Sequence, residues 1–275
     1  MYLKKNKHQN LFFIFLILIT QISCENETDW EIKSENIDKI VIESIITNEN
    51  KFQYVKITKP ISSQNEIPAP VSGAKVIINE GNKPINFYES PENSGLYISE
   101  RKFIAVVNRI YYMNVDYNEK SYAAATGMIP VSTISNLKFS YNDDKKLFFI
   151  DSVSVSFDSE ESAMWELTID RSFANNTPDT TISKLYYYKL RTIDVNQIFA
   201  PNKEVIYFPK GTKITNKKFS LTPDYEIFIR SLLFETEWTG GFFDTPHSNP
   251  ETNIIGDAVG YFTACSVYCD TIIVE

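Results

Sequence analysis

The chain has 275 residues, with 27 basic against 35 acidic side chains and a formal net charge of −8. A chain this acidic, with no Lys/Arg cluster, excludes the phosphate-neutralising surface that nucleic-acid binding depends on. Aromatics at 14% and abundant valine and isoleucine supply a sizeable core, enough for two modest domains, while His8 and His247 alone are too few for HExxH or any other multi-histidine zinc site.

Lys4, Lys5 and Lys7 precede an unbroken apolar run of nine residues, Leu11 to Ile19. A membrane-spanning helix needs roughly 20 apolar residues, so this run has instead the length of a signal-peptide h-region behind a positive n-region. A buried N-terminal helix would leave the polar shoulders and the abrupt change at Cys24 unexplained. Ser23 followed at once by Cys24 resembles the lipobox of bacterial lipoproteins, where the cysteine is acylated and the signal is cut before it. Gln21 stands where that pattern usually has leucine. Each buried methylene contributes about 0.8 kcal/mol and stable anchoring takes more than one acyl chain, which a lipidated Cys24 supplies. Residues 1–23 are therefore expected to be a lipoprotein signal peptide, whose loss removes three lysines and takes the charge from −8 to −11. Glu25, Glu27, Asp29 and Glu31 make residues 24–37 an acidic tether, too short and polar to fold alone. Acids directly after such a cysteine also resemble the surface-export signal of Bacteroidota lipoproteins.

From residue 38 onward, strand patterns dominate. "KIVIESIIT" (39–47) and "QYVKITK" (53–59) are β-branched runs separated by a polar turn. Further strands are expected at 74–79, after Gly73, and at 96–99. "RIYYMNVDY" and "KSYAAATGMI" read as a hairpin turning at Asn118-Glu119. About seven short strands at this spacing predict an Ig-like β-sandwich over residues 38–131, closed by Pro130.

Residues 132–275 are expected to form a second, mostly β domain. "DSVSVSF" (151–157) alternates cleanly, and "AMWELTID" and "KLYYYKLRTID" continue the pattern. The period then changes: Tyr225, Phe228, Ile229, Leu232 and Leu233 recur on one helical face. Thr222 as N-cap, Pro223 at the first helical position, and Asp224 and Glu226 near the positive dipole end predict one amphipathic helix over 223–236. Gly240-Gly241 open a long loop in which Trp238, Phe242, Phe243 and Asn249 are candidate binding residues, although aromatics beside a helix also serve as core. Asp244, Asn249, Glu251 and Asn253 carry oxygen donors, but not at EF-hand spacing, so a capped turn is the expected reading and no metal site is assigned.

Cys265 and Cys269 sit in the closing strand. Four strand residues cover about 13 Å, beyond the roughly 4.4–6.8 Å that a disulfide allows, so a bond between them requires a bulge or bend. Catalytic patterns are absent from the sequence. There is no G-x-S-x-G elbow to accompany His247, no Walker loop and no dinucleotide glycine fingerprint. The adjacent Glu160 and Glu161 would point to opposite faces of a strand. No enzyme activity and no cofactor are expected.

The stretches "IVIESIIT", "PVSGAKVIINE", "SGLYIS" and "YYMNVDYNEKSYAAATGMIPV" resemble, in this order, the N-terminal half of Bacteroidota lipoproteins grouped as domain of unknown function 4249. The closing "NPETNIIGDAVGYFTACSVYCDTIIVE" is similar to that family's best-marked stretch, an Asn-Pro turn and Asn-Ile-x-Gly leading to Gly-Tyr-Phe and a last strand. Cys265 and Cys269 replace small or polar residues there, so the resemblance carries no disulfide. What it implies is an outer-membrane lipoprotein, which the lipobox-like Cys24 is expected to hold in lipid and the acids after it to direct to the cell exterior. The likeness also implies a partner, a TonB-dependent β-barrel receptor, for which the chain serves in ligand capture, uptake or assembly. The alternative is a surface adhesin or glycan-binding module, for which exposed tyrosines and the aromatic loop would supply contacts.

Overall fold

Alternation of β-branched and polar residues gives the first strands their two faces. In β1 (Ile40–Thr47), Ile40, Ile42 and Ile46 are buried while Glu43 is exposed. The same alternation builds β2 (Tyr54–Thr58), β3 (Lys75–Glu80), β4 (Lys83–Glu89), β5 (Leu96–Ser99), β6 (Ile110–Tyr117) and β7 (Lys120–Ile129). Beyond them run β8 (Lys138–Asn142), β9 (Leu147–Ser152), β10 (Ala163–Asp170), β11 (Ile182–Lys189), β12 (Tyr207–Phe208) and β13 (Lys213–Ser220). The helix α1 (Pro223–Thr236) and the strands β14 (Ala258–Cys265) and β15 (Val267–Ile273) complete the order. This computed structural model describes residues 39–61, 66–91, 94–134, 137–152, 161–172, 182–191, 205–237 and 250–275. Most of the run expected at 151–157 lies outside the described residues.

The protein is mainly β with one described helix, as composition and periodicity predict. The N-terminal strands do not pack as an open two-sheet Ig-like sandwich, however. They close into a barrel in the order β1-β14-β7-β6-β3-β4-β5-β2. A period of two marks an inner and an outer face but does not distinguish a sandwich from a closed sheet. Closure depends on β14, which lies in the segment assigned by sequence to the second domain. It pairs parallel with β1 over eight residues, Ile40↔Ala258 to Thr47↔Cys265. Its parallel pairing with β7 covers two residues, Ala264↔Met128 and Cys265↔Ile129.

Ile42, Val55, Ile78, Tyr111, Met113 and Phe262 fill the barrel interior. The β6–β7 hairpin turns as expected at Asn118 and Glu119, both in the left-handed region at φ 47° and 62°, the pair of positive angles a two-residue hairpin loop favours. Gln53 is fully buried beside the end of β1. Its carbonyl accepts from Thr47 N–H (3.1 Å), and its amide donates to the carbonyls of Thr47, Glu49 and Phe103.

The other strands form two sheets, β11-β10-β13-β15 and β12-β9-β8. Leu167, Ile169 and Ile214 of the first share one apolar cluster with Phe139, Phe148 and Phe208 of the second. The opposite face of the four-stranded sheet, through Met164 and Phe219, packs with α1 and with Tyr261 and Cys265 of β14. Helix α1 spans the predicted residues, and Thr222 Oγ1 accepts the Tyr225 N–H at 3.3 Å. Its buried stripe is Tyr225, Ile229 and Leu233, worth on the order of 1.5–3 kcal/mol for each large side chain. Leu232, predicted on that face, is instead exposed, since the packed line runs through Tyr225, Ile229 and Leu233. β14 passes into β15 through Ser266 alone, so one run of chain serves both barrel and sheet. Ser266 bonds to Ser220 in both directions, its N–H to the hydroxyl and its carbonyl from the Ser220 N–H, each 2.9 Å.

Candidate functional site

Of the residues singled out by sequence, Cys24, Trp238, Phe242, Phe243 and Asn249 lie outside the described residues. Cys265 and Cys269 are free thiols, and the disulfide left open by the sequence is not formed. The two are divided between β14 and β15. Cys265 is buried where helix and barrel meet, and burial pushes its thiol up to about 12. A thiol so held is a poor nucleophile at neutral pH. Cys269 is exposed on β15, in register with Lys217.

The segment ahead of β14 is where the sequence motif acquires a physical meaning. β7 and β14 come together only at their two paired residues, and ahead of these the side chain of Asn253 bridges the two strands. Its carbonyl accepts the Phe262 N–H at 3.0 Å, while its amide donates to the carbonyls of Phe262 (2.7 Å) and Ala125 (3.3 Å). Thr252 Oγ1 donates to the Gly260 carbonyl at 2.7 Å and accepts the Ile254 N–H at 3.1 Å. Ile255 then pairs with Ala123 through backbone bonds in both directions. At Gly260, φ is 99° and a Cβ would stand 2.2 Å from the Ile42 carbonyl oxygen. Phe262 points into the barrel, whereas Tyr261 points out and packs on Phe228 and Tyr225, with ring centroids 4.7 and 5.0 Å away. Asn-Ile-x-Gly…Gly-Tyr-Phe is thus a closure device. The Asn253 oxygen is engaged by backbone, while Asp244 and Asn249, two of the other oxygen donors of that turn, lie outside the described residues.

Charged side chains form ties between elements. Glu49 accepts from Lys51 (2.7 Å) and Lys217 (2.6 Å), joining the β1–β2 turn to β13. Partial burial works to raise the Glu49 carboxyl, but the two lysines outweigh it and carry it down to about 2. Lys218, buried in β13, donates to Glu161 (2.9 Å) and Ser132 Oγ (2.6 Å) and lies 5.4 Å from the Trp165 ring centroid. Serine beside lysine resembles a nucleophile and its base. Here Ser132 also donates to Glu161, whose carboxyl burial would raise but whose bonds from Ser132 and Lys218 bring it below its ordinary value. The Ser132 hydroxyl is thus bonded on both sides, donating to Glu161 and accepting from Lys218. The cluster fastens the segment after Pro130 to the four-stranded sheet. Glu226, buried in α1, likewise binds Arg191 through its backbone N–H (2.5 Å) and Nε (2.7 Å).

The barrel exterior presents a different kind of surface, one the sequence reading did not isolate. Tyr54 is in register with Ile98, and Ile98 with Tyr88, so the three form a row across β2, β5 and β4. The tyrosines are 44% and 63% exposed, and two strand spacings place them roughly 10 Å apart. Phe52, on the same side of the chain as Tyr54, is also exposed, with the Lys102 ammonium 5.8 Å from its ring centroid. The available signal was the alternation in "KFQYVK", where the aromatics occupy the outward positions.

Among the described residues, no helix is long and apolar enough to cross a membrane. No curated protein matches the chain. The family model described as domain of unknown function (DUF4249) matches residues 25–270, from ahead of β1 into β15, and the chain belongs to that family.

Proposed function

We propose that the protein is a non-enzymatic, lipid-anchored component of an outer membrane, facing the cell exterior. In this reading it assists a TonB-dependent receptor in ligand capture, uptake or assembly. The observation that carries the proposal is the order at the N-terminus: a positive n-region, a nine-residue apolar run, Ser23-Cys24, and then four acids within seven residues. Family membership and the absence of a catalytic pattern from the sequence support it. Palmitate labelling of wild type and Cys24→Ala, with protease shaving of whole cells, tests it directly. Label on wild type alone, with loss on shaving, is expected; no label on wild type ends the lipoprotein reading. Recovery of a β-barrel partner after crosslinking in mild detergent is the expected result for the receptor association, and recovery without one counts against it.

The exposed rings of Tyr54 and Tyr88, in a row with the half-buried Ile98 between them, favour a second reading, a surface adhesin or glycan-binding module in which sugar faces lie on the rings. A glycan array comparing wild type with the Tyr54→Ala, Tyr88→Ala double variant separates the two readings. Binding that the double variant loses supports the module; no binding by wild type removes it.

A further inference from the structure

β15 is the last strand of its sheet, and hydrogen bonds at its ends fix the direction of its backbone groups. The carbonyl of Ser266 and the N–H of Val274 bond across to Ser220 and Thr212, on the β13 side. Val267 faces the other way: its N–H donates to Asn48 Oδ1 at 2.7 Å and its carbonyl accepts from Asn48 Nδ2 at 3.3 Å. Antiparallel ladders alternate, so Val267, Cys269, Thr271 and Ile273 turn their N–H and C=O groups away from the sheet. The Thr271 N–H is met by the Asp270 carboxylate at 2.9 Å. Among the described residues, no hydrogen bond reaches the outward backbone groups of Cys269 or Ile273.

An unpaired edge is a template for another strand. Lysine, proline and bulges, the usual guards of an edge, are absent from the seven residues VYCDTII. We propose that β15 is a self-association edge, on which a second copy of this chain lays its own β15 antiparallel about a two-fold axis through Thr271. Asn48 occupies Val267 and so disfavours registers running through that residue. Centring on Asp270 would set two carboxylates directly opposite, which destabilises a sheet. Centring on Thr271 pairs the three remaining outward residues once the Asp270 carboxylate yields the Thr271 N–H to the partner's carbonyl: Cys269 meets the partner's Ile273, and Thr271 meets its own copy. Asp270 then faces the partner's Ile272. No charge opposes its like, and threonine pairs across strands are favourable. Such an isologous contact closes on itself and leaves no further edge on β15.

Opposed residues in a hydrogen-bonded pair have Cα atoms about 5.5 Å apart, inside the disulfide range. The two Cys269 residues, four positions out of register, are about 13 Å apart and do not meet. The test uses the full chain carrying Cys24→Ser and Cys269→Ser. Adding Thr271→Cys is expected to give a disulfide-linked dimer under mild oxidation, whereas Cys24→Ser alone, with native Cys269, gives none. In sedimentation, the wild-type chain is expected to dimerise and Thr271→Lys to weaken the dimer about tenfold or more, with unchanged circular dichroism. A chain that stays monomeric with no Thr271→Cys cross-link overturns the proposal. So does a dimer that well-folded Thr271→Lys leaves intact, and if that variant misfolds, the cross-link decides alone.

Discussion

Gly260 faces the Ile42 carbonyl across the β1–β14 pairing, at a φ of 99° that side chains rarely adopt. A methyl group there meets backbone that is itself locked in the barrel. Gly260→Ala is expected to cost about 2 kcal/mol or more, from the left-handed conformation and from strand separation together, read as a fall in urea midpoint. Asn253 makes a different demand, since it must accept from one backbone N–H and donate to two carbonyls. Asn253→Asp keeps the acceptor but sets a charge against the Ala125 and Phe262 carbonyls. It is therefore expected to lower thermal stability at least as much as Asn253→Ala, each by about 1–3 kcal/mol. Equal stability of Asn253→Asp and wild type would show that the amide donors are dispensable.

At the scale of elements, Glu49 ties the β1–β2 turn to β13, and its carboxyl is lowered from 4.5 to about 2. A depressed acid stabilises the fold fully above its unfolded value and loses that contribution as pH falls through the folded one. The melting temperature is therefore expected to drop between about pH 4.5 and 2, and Glu49→Gln to flatten that part of the profile; a variant whose acid limb matches wild type would dissociate the pair from stability. How far elements were legible depends on where their signals lie. The helix announces itself locally, through Thr222, Pro223, the first-turn acids and an apolar stripe, and these suffice to set its span. β13 hides its alternation behind three lysines and Asn216, because Asn216 and Lys218 point inward beside Ile214. Burial of Lys218 becomes intelligible only with Glu161 and Ser132 beside it. The closure segment is visible in sequence as a family mark, but its role rests on Ala123, Ala125 and Ile42, which are more than a hundred positions away. No local pattern encodes that the outward ring of Tyr54 stands in line with Tyr88.

For the whole molecule, the passage of β14 into β15 through one residue makes barrel and sheet share a strand run. Heating is expected to give one calorimetric transition, with no separate melting of residues 38–131 and 132–275; two resolved peaks would mean that the boundary near Pro130 divides the chain energetically. Deleting residues 258–275 leaves β1 and β7 as open edges and exposes one side of the helix seat, and the truncated chain is expected to bind a hydrophobic dye and lose cooperative unfolding.

The parallel pairing of β1 with β14 also governs the order of events in folding. Partners more than two hundred positions apart can meet only after a large loop-closure entropy has been met. Proteins dominated by such distant contacts fold in milliseconds to seconds rather than microseconds. A ribosome releases β1 long before β14 exists, so the nascent chain carries an unsealed seam through most of its synthesis.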